Sequence, residues 1–312
     1  MTVAVALLLG SLIVATWGHR PLLFLLRSNR DPRMSIVLWL VVLVSVFTTS
    51  ITGVVLLGLP GHGGVAAALE HLHDCWVTLH HGASPELEVA AAFLGAMSLF
   101  AVAGRLAWVG VRQTRIRQAR RERHRFLVTV AAADHADGTN VVWLDHPNPM
   151  AFSVAGRPGF VAVSQGTRDL LRPSSLAATL AHEQAHLRGR HHLLLDIVDA
   201  AAAAVPVAPL FRAAPGAMRE LVELAADVAA VRRCGATAVA DALRLLSAAP
   251  RTGGLGMGTT AAGRRLTYLQ RRPIHSGSAG RSVRCTVAGL IAATVPAVLG
   301  LLLFTGVACS LG

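Results

Sequence analysis

His182-Glu183-Gln184-Ala185-His186 is an H-E-x-x-H sequence, a pattern in which two imidazoles and a carboxylate can serve one metal ion. Four residues of helix advance about 6 Å and almost one full turn. The two rings then leave the same face and can share an ion, with Glu183 beside them in reach of a water. A catalytic zinc takes three protein ligands and keeps a fourth position for water, whose pKa falls to about 7. The expected chemistry is peptide-bond hydrolysis on one Zn2+, with Glu183 as the general base that takes the water proton and returns it to the leaving amine.

The third ligand has to come from elsewhere, and Glu220, Glu223 and Asp227 are spaced to lie along one face of a second helix. Glu223 is the expected metal ligand. Asp227, one turn on, is then placed to accept the free ring N–H of a ligating histidine, which fixes its tautomer. Glu220 reads as a solvated or helix-supporting charge. His191 and His192 read as core or supporting residues rather than ligands. The bland alternative is that His182 and His186 fall four apart by chance in an alanine-rich helix. A start signal at Pro173-Ser174-Ser175, a stop at Gly189 and the downstream acidic cluster weigh against it.

Those signals put the motif helix at about Ser175–Arg188. Upstream, Val141–Leu144 and Phe160–Val163 read as strands, bounded by His146-Pro147-Asn148-Pro149 and Gly156-Arg157-Pro158-Gly159. The apolar stretch around Ala151–Phe152 belongs with them. An exposed strand edge there could hold an extended peptide, so Ala151 and Phe152 are candidate substrate-binding residues; the alternative is that both strands are buried core.

The elements around this segment are apolar. Of the 312 residues 53% are hydrophobic and 15% charged, with mean hydropathy +0.53, values of a membrane protein. A span needs about 20 apolar residues, and four windows approach that: Val3–Trp17, Met34–Leu59, Leu87–Val111 and Val287–Cys309. No positive charge precedes the first window, so it reads as an uncleaved helix rather than a signal peptide. The net charge of +12 comes from 29 basic residues, all arginine. Arg20–Arg33 and the run from Arg112 to Arg125 flank the windows, whereas Gly61–Glu86 has none. The positive-inside rule then puts the N-terminus outside and everything from Arg112 to Arg284 in the cytoplasm. That topology and attraction to anionic lipid account for the arginine run, so no direct nucleic-acid binding is expected.

Leu193–Phe211 is long enough for a fifth crossing, but Asp196, Asp199, Pro206 and Pro209 and basic residues on both flanks oppose one. It reads as a buried helix or a hairpin dipping into the membrane surface, which keeps Glu223 on the same side as His182. Segment 251–284, rich in Gly, Ser and Arg, reads as a mobile connector. The four cysteines show no metal-site spacing. In the outside loop His62, His71, His73, His80 and His81 gather with Glu70, Asp74 and Cys75, a group that could bind a transition metal or titrate near pH 6.5, or could simply be solvated.

Leu180-Ala181-His182-Glu183-Gln184-Ala185-His186-Leu187, Glu223-Leu224-Ala225-Ala226-Asp227 and the upstream Ala151-Phe152 strand resemble the BlaR/MecR-type membrane zinc metallopeptidases. More distantly they resemble the HtpX-type and CAAX-processing enzymes. The resemblance covers about residues 85–245. It implies zinc at His182, His186 and Glu223, with Glu183 as base. In antibiotic-sensing members a penicillin-binding domain follows the last span and a cytoplasmic repressor is removed. The chain ends at Gly312, so that sensor is expected to be absent and β-lactam sensing is not carried over.

The expected architecture is a mainly α membrane protein of about four transmembrane helices with a cytoplasmic α+β zincin-like peptidase domain. Residues 1–111 hold three membrane helices, 112–280 the peptidase domain and 281–312 a last membrane helix. The expected partners are the lipid bilayer and a protein or peptide substrate, with a transcriptional repressor as first guess. The alternatives are quality-control proteolysis of membrane proteins and a non-catalytic receptor with a vestigial site.

Overall fold

The computed structural model describes residues 2–27, 31–58, 132–135, 140–156, 158–249, 257–271 and 292–302, with scattered positions between 93 and 122. The histidine-rich loop, most of the third apolar window and most of the arginine run lie outside the described residues.

The N-terminal windows form α1 (Thr2–Trp17), α2 (His19–Arg27) and α3 (Pro32–Gly58). Within α3, Pro32–Leu56 is long and apolar enough to cross a membrane, and α1 with α2 passes the same test only as one span bent by 41°. In the last window the described residues Ala292–Leu302 form an apolar helix, α10. Against the expected four crossings, the described residues therefore contain one such helix, or two with the bent pair. Gly10 of α1 and Gly300 of α10 bring these helices together backbone to backbone. A Cβ on Gly10 would run into the Pro296 carbonyl, and one on Gly300 into that of Ala6; small residues permit the same close approach between helices in lipid.

The strands are β1 (Ala132–His135), β2 (Val141–Leu144), β3 (Ala151–Val154) and β4 (Phe160–Ser164), in sheet order β1-β2-β4-β3. β2 runs parallel to β4, and β3 is antiparallel to it at the edge of the sheet. The side chains alternate between faces as strand geometry requires. Val141, Val161 and Val163 pack with Ala151 against Leu176, Leu180 and Leu187 of the motif helix. Val142, Leu144 and Ala162 pack with Phe152 on the opposite face.

After the short α4 (Gln165–Leu170), the motif helix α5 runs Pro173–Arg188 and stops at Gly189. Its N-cap is Arg172, with proline in the first turn and no side-chain cap, so Ser174 and Ser175 of the start signal lie inside the helix. Next come α6 (His191–Ala204) and α7 (Pro209–Cys234), which form the hairpin expected at Leu193–Phe211. Its two arms are tied by Arg219, which donates to both oxygens of Asp199 at 2.8 and 2.9 Å. Arg105, within the third apolar window, donates to the Ala203 carbonyl at 3.0 Å; this satisfies one of the free carbonyls at the end of α6.

The hairpin lies against α3. Leu210, Phe211, Ala214, Met218 and Leu221 share a core with Trp39, Leu43 and Val46, and the Phe47 and Phe211 rings meet edge to face at 5.0 Å. Phe47 is about 22 Å along α3 from Pro32 at 1.5 Å per residue. The hairpin tip thus reaches well along the apolar helix.

Two helices complete the domain: α8 (Ala236–Ala248) and α9 (Met257–Arg271). The second lies inside the segment read as a mobile connector and corrects that reading. Ala262 is buried on α9, and Tyr268 and Leu269 pack with Ala178, Ala181, Leu224 and Val228. That contact fixes α9 against α7 and α8.

Candidate metal centre

Position 182 and position 186 lie one turn apart on α5, and the two rings converge with Nε2 atoms 3.2 Å apart. From α7, Glu223 reaches both. Its Oε2 is 3.5 Å from His182 Nε2 and its Oε1 is 3.5 Å from His186 Nε2. Among the described residues these three form the His/Cys/Asp/Glu cluster able to hold a metal ion. The donor set suits zinc: ligand atoms about 2.0–2.2 Å from a tetrahedral ion stand about 3.3–3.6 Å from one another, and each histidine has one Glu223 oxygen at 3.5 Å.

The far side of each ring is also occupied. His182 Nδ1 is 2.9 Å from Asp227 Oδ1. Asp227 is buried and is in turn gripped by Arg265 of α9, whose Nε donates to Oδ2 at 2.7 Å and Nη2 to Oδ1 at 2.6 Å. Arg265 Nη1 also lies 3.0 Å from Glu223 Oε2. Behind the second ring, His186 Nδ1 is 3.0 Å from Nδ1 of buried His191. A tight turn delivers that contact. The His191 ring fills the space a Cβ on Gly189 would need, and Arg190 takes a left-handed conformation at φ 48°, which costs a non-glycine residue about 1 kcal/mol.

These contacts set the charges. Burial works against protonation of His182, but the hydrogen bonds to Asp227 and Glu223 outweigh it and raise its pKa to about 9. Burial, then the neighbouring His182 charge, lowers His186 to about 3, and burial lowers His191 to about 4. Burial also opposes ionisation of Glu223 and Asp227. Hydrogen bonds from His182 to Glu223, and from Arg265 and His182 to Asp227, more than offset it, and Glu223 falls to about 2. The arrangement favours positive charge between the two histidines and the carboxylates.

Burial pushes the Glu183 carboxyl up, while hydrogen bonds from the side chain and backbone of Ser153 act the other way. Ser153 Oγ also lies 3.2 Å from His192 Nε2. The edge strand β3 is thereby fastened to the motif helix. Of the two residues singled out on this strand, Ala151 faces α5 whereas the Phe152 side chain packs beneath the sheet.

Sequence reasoning brought His182, Glu183, His186, Glu223 and Asp227 to one place, and the structure does the same. Glu220 stands apart, paired with Arg264. The residues that escaped it are Arg265, Ser153 and the contact of His191 with His186. Arg265 was hidden in a segment whose glycines and arginines suggested no structure, although Ala262, Leu266 and Leu269 follow a helical i, i+4, i+7 pattern.

Residues 117–248 match the model of Peptidase family M48. That segment is therefore similar to metallopeptidases of this family. The matched segment contains the H-E-x-x-H helix, the edge strand, Glu223 and Asp227, and stops short of Arg265. The match reaches the level of M48 and does not separate the BlaR/MecR-type from the HtpX-type peptidases. No solved structure matches the chain.

Proposed function

We propose that this M48-type protein is an integral membrane zinc endopeptidase that cuts cytoplasmic or membrane-proximal segments of proteins. The observation that carries the reading is the convergence of His182 Nε2, His186 Nε2 and the Glu223 carboxylate at 3.2–3.5 Å, with Glu183 alongside. A zinc ion held there supplies Lewis-acid activation of water and of the scissile carbonyl.

The rest of the chemistry belongs to the chain. Glu183 accepts the proton of the attacking water and delivers it to the leaving amine, a contribution of about 10²–10⁴-fold. Asp227 accepts from His182 Nδ1–H, which leaves Nε2 as the ligating atom. His191 does the same for His186, as a neutral acceptor in place of a carboxylate. Arg265 holds Asp227 and Glu223 in register, so α9 completes the site. Substrate pairs as an added strand along β3, which runs past Glu183 at the sheet edge; Ala151 and Phe152 offer main-chain groups and Ser153 orients the base.

The membrane assignment rests on α3, on the hairpin packed along it and on the Gly10–Gly300 crossing. The arginine distribution supports a cytoplasmic peptidase domain and an outside N-terminus; reporters fused after Arg125 and after Pro250 should both report the cytoplasm. A transcriptional repressor as substrate rests on the sequence resemblance, and quality-control proteolysis is its rival. The deciding experiment compares protein fragments in cells carrying the parent protein and Glu183→Gln. Fragments that vanish in the variant identify the substrate. Identical fragment patterns, with one zinc per chain in both proteins, would count against peptidase activity.

A further inference from the structure

Behind the metal centre, on the side of α5 away from β3, lies a pocket of about 510 Å³ between the foot of α3, the α5–α6 turn and α7. That is within the range of small-molecule sites, about 300–1,000 Å³. Its lining divides by chemistry. Ile36 and Val37 of α3, Leu194 of α6 and alanines of α5 and α7 are apolar, while Arg33 and Arg188 supply two cations. Both arginines are exposed. No ion pair involves either guanidinium among the described residues. Among the described residues no carboxylate lines the pocket, although Asp31 accepts the Arg33 backbone N–H at 3.0 Å. Two unpaired like charges at one pocket repel each other and favour an anion between them.

Position decides which anion. Arg33 is in the first turn of α3, where the membrane-length apolar stretch begins at Pro32. Whichever way α3 points, this is the level at which phospholipid phosphates lie beside the start of the acyl chains. The pocket offers cations and an apolar wall in that same order.

We propose that the pocket binds the head of an anionic phospholipid, with its phosphate between Arg33 and Arg188 and its glycerol and first acyl carbons against Ile36, Val37 and Leu194. The inference rests on the reading of α3 as a membrane helix and does not require the protein to be a peptidase. One wall is shared with the metal centre. His191 lines the pocket and also touches His186, so bound lipid rests against the residue that backs a proposed zinc ligand.

The test uses the full chain in phosphatidylcholine micelles titrated with phosphatidylglycerol, with bound lipid counted by native mass spectrometry. We expect saturable binding that Arg33→Gln with Arg188→Gln weakens about thirtyfold, each cation near the surface contributing about fivefold. The double lysine variant should restore most of it, which separates lost charge from lost folding. Arg20→Gln, an exposed cation on α2 outside the pocket, should bind as the parent does. Equal weakening by Arg20→Gln, absence of a saturable site, or full binding by the double glutamine variant would overturn the proposal. Displacement by inorganic phosphate at equal concentration would overturn the lipid as its source. Glu183→Gln should bind phosphatidylglycerol unchanged, so a failure of peptidase activity and a failure of this site read out separately.

Discussion

The half of α7 from Pro209 to Val222 and the half from Glu223 to Cys234 lie on one helix but face different surroundings. The first buries an apolar face, whose residues pack with α1, α2 and α3. The second carries Glu223 and buried Asp227 and packs with α5, α8 and α9. Apolar packing, with the Arg219–Asp199 pair across the hairpin, holds the first half; the second adds charge-assisted hydrogen bonds around buried Asp227 to its apolar contacts. Because the halves are continuous, one helix joins the apolar helices to the carboxylates.

The largest expected effect tests whether the second half is a metal site at all. His186→Ala removes one of three ligand groups, so zinc measured on purified protein should fall from one per chain to none. Glu183→Gln should keep the metal and lose activity by about 10²–10⁴-fold. Full zinc in the His186 variant would break the comparison, leaving two packing surfaces and no chemistry.

Next in size is Phe211→Ala in the first half. Phe211 is 1% exposed against Phe47, and truncating such a side chain costs about 3–5 kcal/mol. Thermal unfolding in detergent should show the loss, while the zinc affinity of the folded protein stays near that of the parent. A lost metal site with unchanged unfolding would mean that the two halves are not separable as described.

Much of this arrangement was legible in the sequence. The H-E-x-x-H spacing, the Glu223/Asp227 pair and the β2, β4 and α5 boundaries follow from periodicity and caps that act within a few residues. Asp196 and Asp199 opposed a fifth crossing, and Asp199 turns out to be held by Arg219. What escaped was long-range. Arg265 meets Asp227 across 38 positions of chain, and no local pattern reports such a contact. The His191 contact depends on a left-handed Arg190 and a glycine with no room for a Cβ, features that no propensity foretells. The depth of the hairpin is set by Phe47 meeting Phe211, again a matter of packing.

A smaller effect separates the two supports within the second half. Asp227→Asn keeps the shape but gives up the carboxylate that both His182 and Arg265 engage; zinc affinity should fall about 10–100-fold. Arg265→Gln should show part of that loss, because Asp227 keeps His182 but loses its own anchor. If metal chelation competition gave the parent affinity for Asp227→Asn, the carboxylate would be a structural ion-pair partner only.

The smallest effect is in pH. In metal-free protein His182 has a folded pKa near 9 against an ordinary value of 6.5, since Asp227 and Glu223 together outweigh burial. A raised pKa means that protonated His182 stabilises the fold fully below about pH 6.5, and that this stabilisation is lost as pH rises through about 9. The melting temperature of chelator-treated protein should therefore decline across that window. Zinc replaces the proton as the positive charge between the carboxylates, so zinc-loaded protein should show no such decline. His182→Asn, which cannot carry the charge, should flatten the metal-free curve. A metal-free melting temperature that rises from pH 6.5 to 9 would reverse the sign and show that desolvation, not Asp227, governs this histidine.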